Sequence, residues 1–247
     1  MNKLKHCLAA LLLFVGALAQ AAMAGDLKVV HSGNWPPYTG EDLPEQGLAI
    51  DLVTTALERA GYNPRVSIDS LEQILEGGKT GVYDVFATPW YTMDRGQHLD
   101  FSQPYLESHI RFIKRKHSAF EYTDFDDLEG MRIGVIKDYA YDEDFNQSPT
   151  IEKVVESSLP GNLQKLVEKE IDLTLDDERV LRYQINRFMT DDMEKLEILE
   201  KPLVVRGVNI GVSRKNPDHA KIVADFDNAI AAMKLDGTYD RILEKHK

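Results

Sequence analysis

The chain has 247 residues, a formal net charge of −12 at pH 7 and a hydrophobic content of 43%. This acidity disfavours nucleic acid and anionic membranes as partners and favours a soluble, diffusing protein. Cys7 is the only cysteine, so no internal disulfide can form, and the length suits one large domain or two small lobes.

The first 24 residues are predicted to be a secretory signal peptide. Two lysines precede an apolar run over residues 8–19, and Ala22-Met23-Ala24 is typical of a cleavage site, with cleavage expected after Ala24. A single-pass membrane anchor is the alternative, which the shortness of the apolar run disfavours. Cleavage would also remove Cys7, so the exported chain would have no thiol chemistry.

Strand and helix patterns alternate along the rest of the chain. Hydrophobic residues that recur at every second position predict strands, and those at helical spacing predict helices. The predicted strands are 27–30, 64–68, 85–87, 108–115, 131–136, 171–175 and 203–212, and the predicted helices are 48–60, 71–76, 160–169, 178–188, 218–234 and a short one after Gly237. Gly77-Gly78 is expected to end the second helix. This alternation predicts an α/β architecture with mainly parallel sheets.

Two loops that follow predicted strands carry large aromatic rings. The first, residues 31–39, holds Trp35 and Tyr38 around two prolines, and rings in a rigid loop can form the wall of a ligand site. Burial in the core is the alternative explanation and is favoured for Tyr38. The second loop holds Thr88 and Trp90 and leads to Arg95, whose fork of donors matches a carboxylate. These residue types predict a site for a small molecule.

The segment over residues 83–105 also resembles a known family. Thr92, Arg95, Asp100-Phe101-Ser102 and Pro104-Tyr105 follow, in order and spacing, the pattern T-x-x-R then V-D-F-S-x-P-Y of the family 3 periplasmic solute-binding proteins. Further matches are Gly47 with Asp51-Leu52, and Asp127-Leu128-Glu129-Gly130 before the strand at 131–136. The resemblance therefore extends over nearly the whole chain after the predicted signal peptide.

The resemblance implies a two-lobed periplasmic-binding-protein fold of the type II-like class. Two sheets would be joined by two hinge crossings, near residues 105–109 and 205–209. The first lobe would hold residues 26–108 and 209–247, and the second lobe would hold residues 109–208. The ligand would lie between the lobes, which would close on it as a hinge.

The resemblance also implies a set of ligand-binding residues. Arg95 would be the main anchor for an anionic group with Thr88 assisting, Trp35 and Trp90 would stack on the ligand, and Tyr139 would form the opposite wall. Asp177 aligns with the acid that receives a ligand ammonium group, although an Asp at this place is also an ordinary helix N-cap.

The chain departs from the family pattern at two places. Lys137-Asp138-Tyr139-Ala140 stands where amino-acid binders have a small Gly-Ser/Thr turn whose NH groups hold the ligand carboxylate. Trp90 stands where family members commonly have a ligand-binding hydroxyl. Half of the expected carboxylate site is therefore missing from the sequence.

The leading hypothesis is a periplasmic receptor that captures a small polar, carboxylate-bearing, amino-acid-like solute and delivers it to an ABC transporter permease. We expect a monomer, because closure of the lobes needs free surfaces. We expect no cofactor and no metal, since no histidine pair has metal-ligand spacing. The acidic clusters at 142–144 and 176–178 lack calcium-loop spacing and are interpreted as solvated faces or caps.

Two alternatives remain open. One is an exported enzyme similar to the cyclohexadienyl or arogenate dehydratases, which share this fold and would need a cleft carboxyl group as general acid; Glu178 and Glu107 are the candidates. The other is a binding protein that serves a membrane sensor instead of a transporter.

Overall fold

The computed structural model describes residues 25–187 and 195–246. The predicted signal peptide, residues 1–24, and the predicted end of the helix at residue 188 lie outside the described residues. Within the described part, no helix combines the length and the apolar character needed to cross a membrane.

The described strands and helices follow the predicted alternation. The strands are, in chain order, β1 (Asp26–Ser32), β2 (Asn34–Trp35), β3 (Thr39–Gly40), β4 (Asn63–Asp69), β5 (Val85–Phe86), β6 (Leu99–Phe101), β7 (Leu106–Arg115), β8 (Arg132–Ile136), β9 (Glu152–Glu156), β10 (Leu173–Asp177), β11 (Leu196–Val208) and β12 (Gly211–Ser213). The helices are α1 (Leu48–Arg59), α2 (Leu71–Thr80), α3 (Met93–Gly96), α4 (Glu143–Gln147), α5 (Leu159–Val167), α6 (Glu178–Arg187), α7 (His219–Leu235) and α8 (Thr238–Lys245).

Two five-stranded sheets each form the centre of one lobe. The first lobe contains the sheet ordered β4-β1-β5-β12-β6, and the second lobe contains the sheet ordered β11-β7-β10-β8-β9. This two-lobed α/β fold confirms the predicted fold class. In each sheet four of the five strands run in one direction, and one strand, β12 in the first sheet and β7 in the second, runs in the opposite direction. In the first, β1 pairs in parallel with β4 and β5, whereas β12 is antiparallel to β5 and β6.

The mixed character has a physical cause in the chain path. Strands that belong to successive βαβ units are parallel, but β7 and β12 enter their sheets from the other lobe and so run in the opposite direction. The second sheet has the same mixture, because β7 is antiparallel to β10 and β11, and β8 is parallel to β9 and β10. The strand predicted at 203–212 accordingly divides into β11 and β12.

Alternating side chains bury both faces of the first sheet. Val29 of β1 belongs to the main core, which includes α1 and α7, whereas Val30 belongs to a second apolar cluster with Ile74 of α2. Helices α5 and α6 pack on the second sheet. Each fully buried Leu, Ile or Phe in these layers contributes about 1.5–3 kcal/mol to the free energy of folding.

Helix α2 does not end at Gly77-Gly78 as predicted. It continues to Thr80 and ends at Gly81, whose backbone lies in the left-handed region with φ +82°. The two earlier glycines serve close packing instead, because a Cβ on Gly77 would lie 2.5 Å from the ring of Tyr83. A glycine in a helix pattern can thus meet a packing need without ending the helix.

Two neighbouring chain segments connect the lobes. The N–H of Tyr105 donates to the carbonyl of Val208 at 2.9 Å, and the N–H of Ser102 donates to the carbonyl of Ile210 at 3.1 Å. The side chain of Asn209 also donates to the carbonyl of Ser102 at 2.7 Å. The two crossings therefore support one another. The proposed lobe limits, 26–108 with 209–247 and 109–208, stay a prediction.

Candidate functional site

The predicted site residues follow the carboxyl ends of strands that face each other across the two lobes. Trp35 follows β1, Thr88 follows β5, Tyr139 follows β8, and Asp177 ends β10. Because these strands are parallel within each sheet, their ends meet at one edge, which is where α/β folds place their ligand sites. A cavity with about 380 Å³ of empty space, part of it open to solvent, lies there.

Five of the six predicted site residues line this cavity. They are Trp35, Thr88, Trp90, Arg95 and Tyr139, and the other lining residues are Ser32, Leu71, Phe86, Pro89 and Ala140. Asp177, the sixth, does not line the cavity. The structure therefore brings together predicted site residues that are up to 104 positions apart in sequence, since Trp35 and Tyr139 line the same cavity.

Arg95 is held in place by the short helix α3. Thr92 caps this helix, and its hydroxyl accepts the N–H of Arg95 at 3.1 Å. The guanidinium donates to two backbone carbonyls, Trp90 at 2.9 Å in the first lobe and Asp138 at 3.1 Å in the second. Burial lowers the pKa of Arg95, and the nearby charge of Arg206 lowers it further. A cation that has carbonyls as partners is ready to receive an anion.

The loop after β8 explains how Asp138 reaches Arg95. Asp138 has φ +65°, in the left-handed region that a non-glycine residue adopts only at a cost. This conformation directs its carbonyl oxygen to the guanidinium. In the family that the sequence resembles, the turn at this place directs NH groups to the ligand carboxylate. The loop of this chain instead directs a carbonyl oxygen into the site.

Aromatic rings continue from one lobe to the other. The rings of Trp35 and Tyr38 stack with centroids 4.2 Å apart, and Trp90 meets Trp35 edge-on at 5.6 Å and Tyr139 edge-on at 5.5 Å. Tyr141 lies 5.5 Å from Tyr139. We call these five rings the aromatic cluster. The buried indole N–H of Trp90 has no hydrogen-bond partner among the described residues.

Asp177 occupies the N-cap position of α6. Its Oδ1 accepts the N–H of Arg179 at 2.8 Å and that of Val180 at 3.3 Å, and its Oδ2 accepts the N–H of His109 at 3.1 Å. Burial raises its pKa. The structure thus shows the capping role for Asp177, and both of its oxygens are already used.

Asp176 is a buried acid at the contact between the lobes, and the residue pattern did not single it out as a site candidate. The cluster at 176–178 was interpreted as a solvated face or cap, but Asp176 and Asp177 are each only 1% exposed. Oδ1 of Asp176 accepts the indole N–H of Trp35 at 3.1 Å and the N–H of Asp177 at 2.7 Å. Burial raises the pKa of Asp176 to about 7, although these hydrogen bonds favour its charged form. An acidic pair at a strand end was the available signal.

Two further arginines link the lobes. Arg206 of β11 donates to the carbonyl of Tyr141 at 3.0 Å and to that of Tyr91. Arg179 donates to the hydroxyl of Tyr38 at 2.9 Å, which agrees with the prediction that Tyr38 is buried. The lobes are therefore closed on each other in this structure. In the parts of the chain that the structure describes, no cluster of three potential metal ligands occurs.

Comparison with known proteins gives consistent results. The family model for the bacterial extracellular solute-binding proteins, family 3, matches residues 27–247. The ABC transporter arginine-binding protein 1 of Escherichia coli (strain K12) is 26% identical over 231 residues, which is 91% of this chain and 92% of that protein.

Solved structures show the same fold. An ancestral arginine-binding protein bound to arginine has a TM-score of 0.75 and 22% identity, covering 90% of this chain and 98% of that one. The ancestral amino acid-binding protein AncCDT-1, a precursor of cyclohexadienyl dehydratase, has a TM-score of 0.72 and 19% identity, covering 90% of this chain and 95% of that one.

Proposed function

The chain belongs to the bacterial extracellular solute-binding proteins of family 3, and from that premise we propose that it captures an amino-acid-like solute between its two lobes. The solute would bear a carboxylate, and the protein would deliver it to the membrane permease of an ABC transporter. A relative of similar length is an arginine-binding protein of an ABC transporter, which supports this class of solute.

The observation that carries the proposal is the environment of Arg95. Its guanidinium lies in the cleft, lines the cavity and has the carbonyls of Trp90 and Asp138 as partners. A carboxylate forms shorter and stronger hydrogen bonds with a guanidinium than a neutral carbonyl does. A ligand carboxylate can therefore replace the Asp138 carbonyl and connect the first lobe to the second through the ligand.

Binding requires the lobes to separate and close again. The cavity lies between lobes that are in contact, and one hydrogen bond each of Arg95, Trp35 and Arg206 crosses from one lobe to the other. Opening would break these few hydrogen bonds while the two crossing segments keep the lobes joined.

We propose that the protein acts as a monomer, located in the periplasm after removal of residues 1–24, with Trp35, Thr88, Trp90 and Tyr139 forming the walls of the site.

A dehydratase is the second candidate, because AncCDT-1 has the same fold. The two carboxyl groups considered for it do not suit a general acid. Burial acts to raise the pKa of Glu178, but its hydrogen bond with Arg182 and the charge of Arg111 outweigh burial and lower it. The side chain of Glu107 is 74% exposed. Turnover of prephenate or arogenate by the purified protein would support this candidate.

The decisive experiment is a thermal-shift screen of residues 25–247 against the proteinogenic L-amino acids, ornithine and cystine. A ligand at about 100 times its dissociation constant adds roughly 2.7 kcal/mol of stability. We expect at least one amino acid to raise the Tm, and Arg95→Ala to weaken its binding by roughly 2–5 kcal/mol, as for a buried charge pair. Arg182→Ala, which removes a guanidinium on the surface of α6, is the matched control and should bind normally. A screen without any shift contradicts the proposal.

A further inference from the structure

Two adjacent acids end strand β10, and they differ in what their oxygens contact. Asp177 accepts three backbone N–H groups, from His109, Arg179 and Val180, which use both of its oxygens. In Asp176, Oδ1 accepts two N–H groups, whereas Oδ2 is buried and has no partner among the described residues. An unpaired buried carboxylate oxygen is costly, so it marks a place where a donor is expected.

Asp176 faces the cleft, although it does not line the cavity in the closed structure. Its partner Trp35 belongs to the first lobe, while Asp176 ends a strand of the second. Trp35 itself lines the cavity. When the lobes separate, this hydrogen bond must break, and the carboxylate of Asp176 then has no side-chain donor and is open to the cleft.

The surroundings of Asp176 favour a positive charge. Its carboxylate raises the pKa of Tyr139 and of Tyr141, in addition to the larger effect of burial, so both rings lie near it. With Trp35 and Trp90, these rings form a continuous group whose negative faces attract cations. No cationic side chain of the described residues is among the causes that shift the pKa of Asp176, so the protein offers this carboxyl group no counter-charge.

We propose that Asp176, and not Asp177, receives the ammonium group of the ligand. The inference rests on the proposed function, because it assigns the second end of the same zwitterion. The carboxylate would bind Arg95 of the first lobe, and the ammonium would donate to Oδ2 of Asp176 in the second. The free indole N–H of Trp90 supplies one more donor for a ligand oxygen. The ligand class is therefore a compound with both a carboxylate and an N–H-bearing cation.

The test compares variants with matched ligands. The probes are the amino acid with the largest shift in the screen and its desamino counterpart, which has the same chain and carboxylate but hydrogen in place of the α-amino group. We measure Kd by calorimetry for wild type, Asp176→Asn and Asp176→Ser. Both variants keep a polar side chain at this position and remove the carboxylate charge, and agreement between them separates the loss of charge from the change of shape.

The expected result is selective. Both Asp176 variants should bind the amino acid at least about 30-fold more weakly, the lower range for breaking a buried charge pair, and should bind the desamino acid no more weakly than wild type does. Asp177→Asn, in which asparagine still caps α6, should bind both probes within about threefold of wild type.

Each other outcome overturns the inference in a different way. Normal amino-acid binding by the Asp176 variants removes Asp176 from the site and leaves the proposed function intact. A large loss in Asp177→Asn would assign the ammonium to Asp177. If wild type binds the desamino acid with the same affinity as the amino acid, no acidic side chain contributes to binding of the ammonium group. Failure of every amino acid to bind wild type refutes the proposed function and this inference together.

Discussion

Replacement of Asp176 by asparagine should change how the stability of the protein depends on pH. In the unfolded chain this carboxyl group has its ordinary pKa of 3.8, whereas in the folded protein its pKa is about 7. Between these values the folded state keeps a proton that the unfolded state has lost. The free energy of unfolding therefore falls as the pH rises from about 4 to about 7, because the folded state binds more protons.

The magnitude follows from the size of this shift. Each pKa unit corresponds to about 1.36 kcal/mol, so ionisation of Asp176 lowers the stability of the ligand-free protein by up to about 4 kcal/mol above neutral pH. The variant Asp176→Asn cannot titrate and should lack this decline. Its amide introduces a buried N–H₂ that costs about 1–3 kcal/mol if unpaired, but that cost is the same at every pH.

The assay is urea unfolding of wild type and Asp176→Asn at intervals from pH 4.5 to pH 8, without ligand. The titratable groups that interact with Asp176, namely Asp177, Tyr139 and Tyr141, remain in both proteins, so their contributions largely cancel in the difference. Asp240→Asn, which removes an exposed charge in α8, is the control for net charge. The stability of Asp176→Asn relative to wild type should increase by several kcal/mol across this range. A difference that stays constant within about 1 kcal/mol would refute a raised pKa for Asp176.

Two further predictions concern closure and packing. Arg206→Ala removes hydrogen bonds to the carbonyls of Tyr91 and Tyr141, which lie on opposite lobes. Small-angle scattering of the ligand-free variant should therefore give a larger radius of gyration than that of wild type. An unchanged radius would show that Arg206 does not hold the lobes together. Gly77→Ala would place a methyl group 2.5 Å from the ring of Tyr83 and should lower stability by about 1–3 kcal/mol in urea unfolding. Gly161→Ala is the control and should not lower it, because the nearest atom to its methyl group is the flexible end of Glu156 at 3.3 Å, followed by the hydroxyl of Ser158 at 3.6 Å. Equal stability of the two variants would contradict the packing argument.

The sequence predicted the long elements well, because their periodic patterns reflect which face is buried. Helices α1 and α7 and strands β1 and β7 lie where the hydrophobic spacing placed them, to within a few residues. Strands β6 and β12 are only three residues long, and pairing across the sheet defines them rather than any local pattern. Local sequence contains no signal for such pairing.

The same distinction applies to the site. Arg95, Trp35 and Trp90, which line one cavity in the structure, could be selected as candidates from their residue types and their positions after strands. The choice between Asp176 and Asp177 could not be predicted, because all five residues of β10 are buried and the alternation of faces leaves no polar side to identify. Only the three-dimensional contacts show that one acid caps a helix and the other faces the opposite lobe.

The left-handed conformation of Asp138 has a consequence for affinity. Its carbonyl accepts a hydrogen bond from the guanidinium of Arg95, and so competes within the chain with a ligand carboxylate for that donor. A ligand carboxylate that binds the same N–H group must displace the carbonyl, and the observed Kd is then the intrinsic Kd divided by the fraction of molecules in which that N–H group is vacant. If the carbonyl is bound in nine molecules of ten, the observed affinity is about tenfold weaker than the site allows. With Arg95 as the proposed carboxylate anchor, one peptide unit of the chain would thus set the working concentration range of the protein, at a residue that need not contact the ligand.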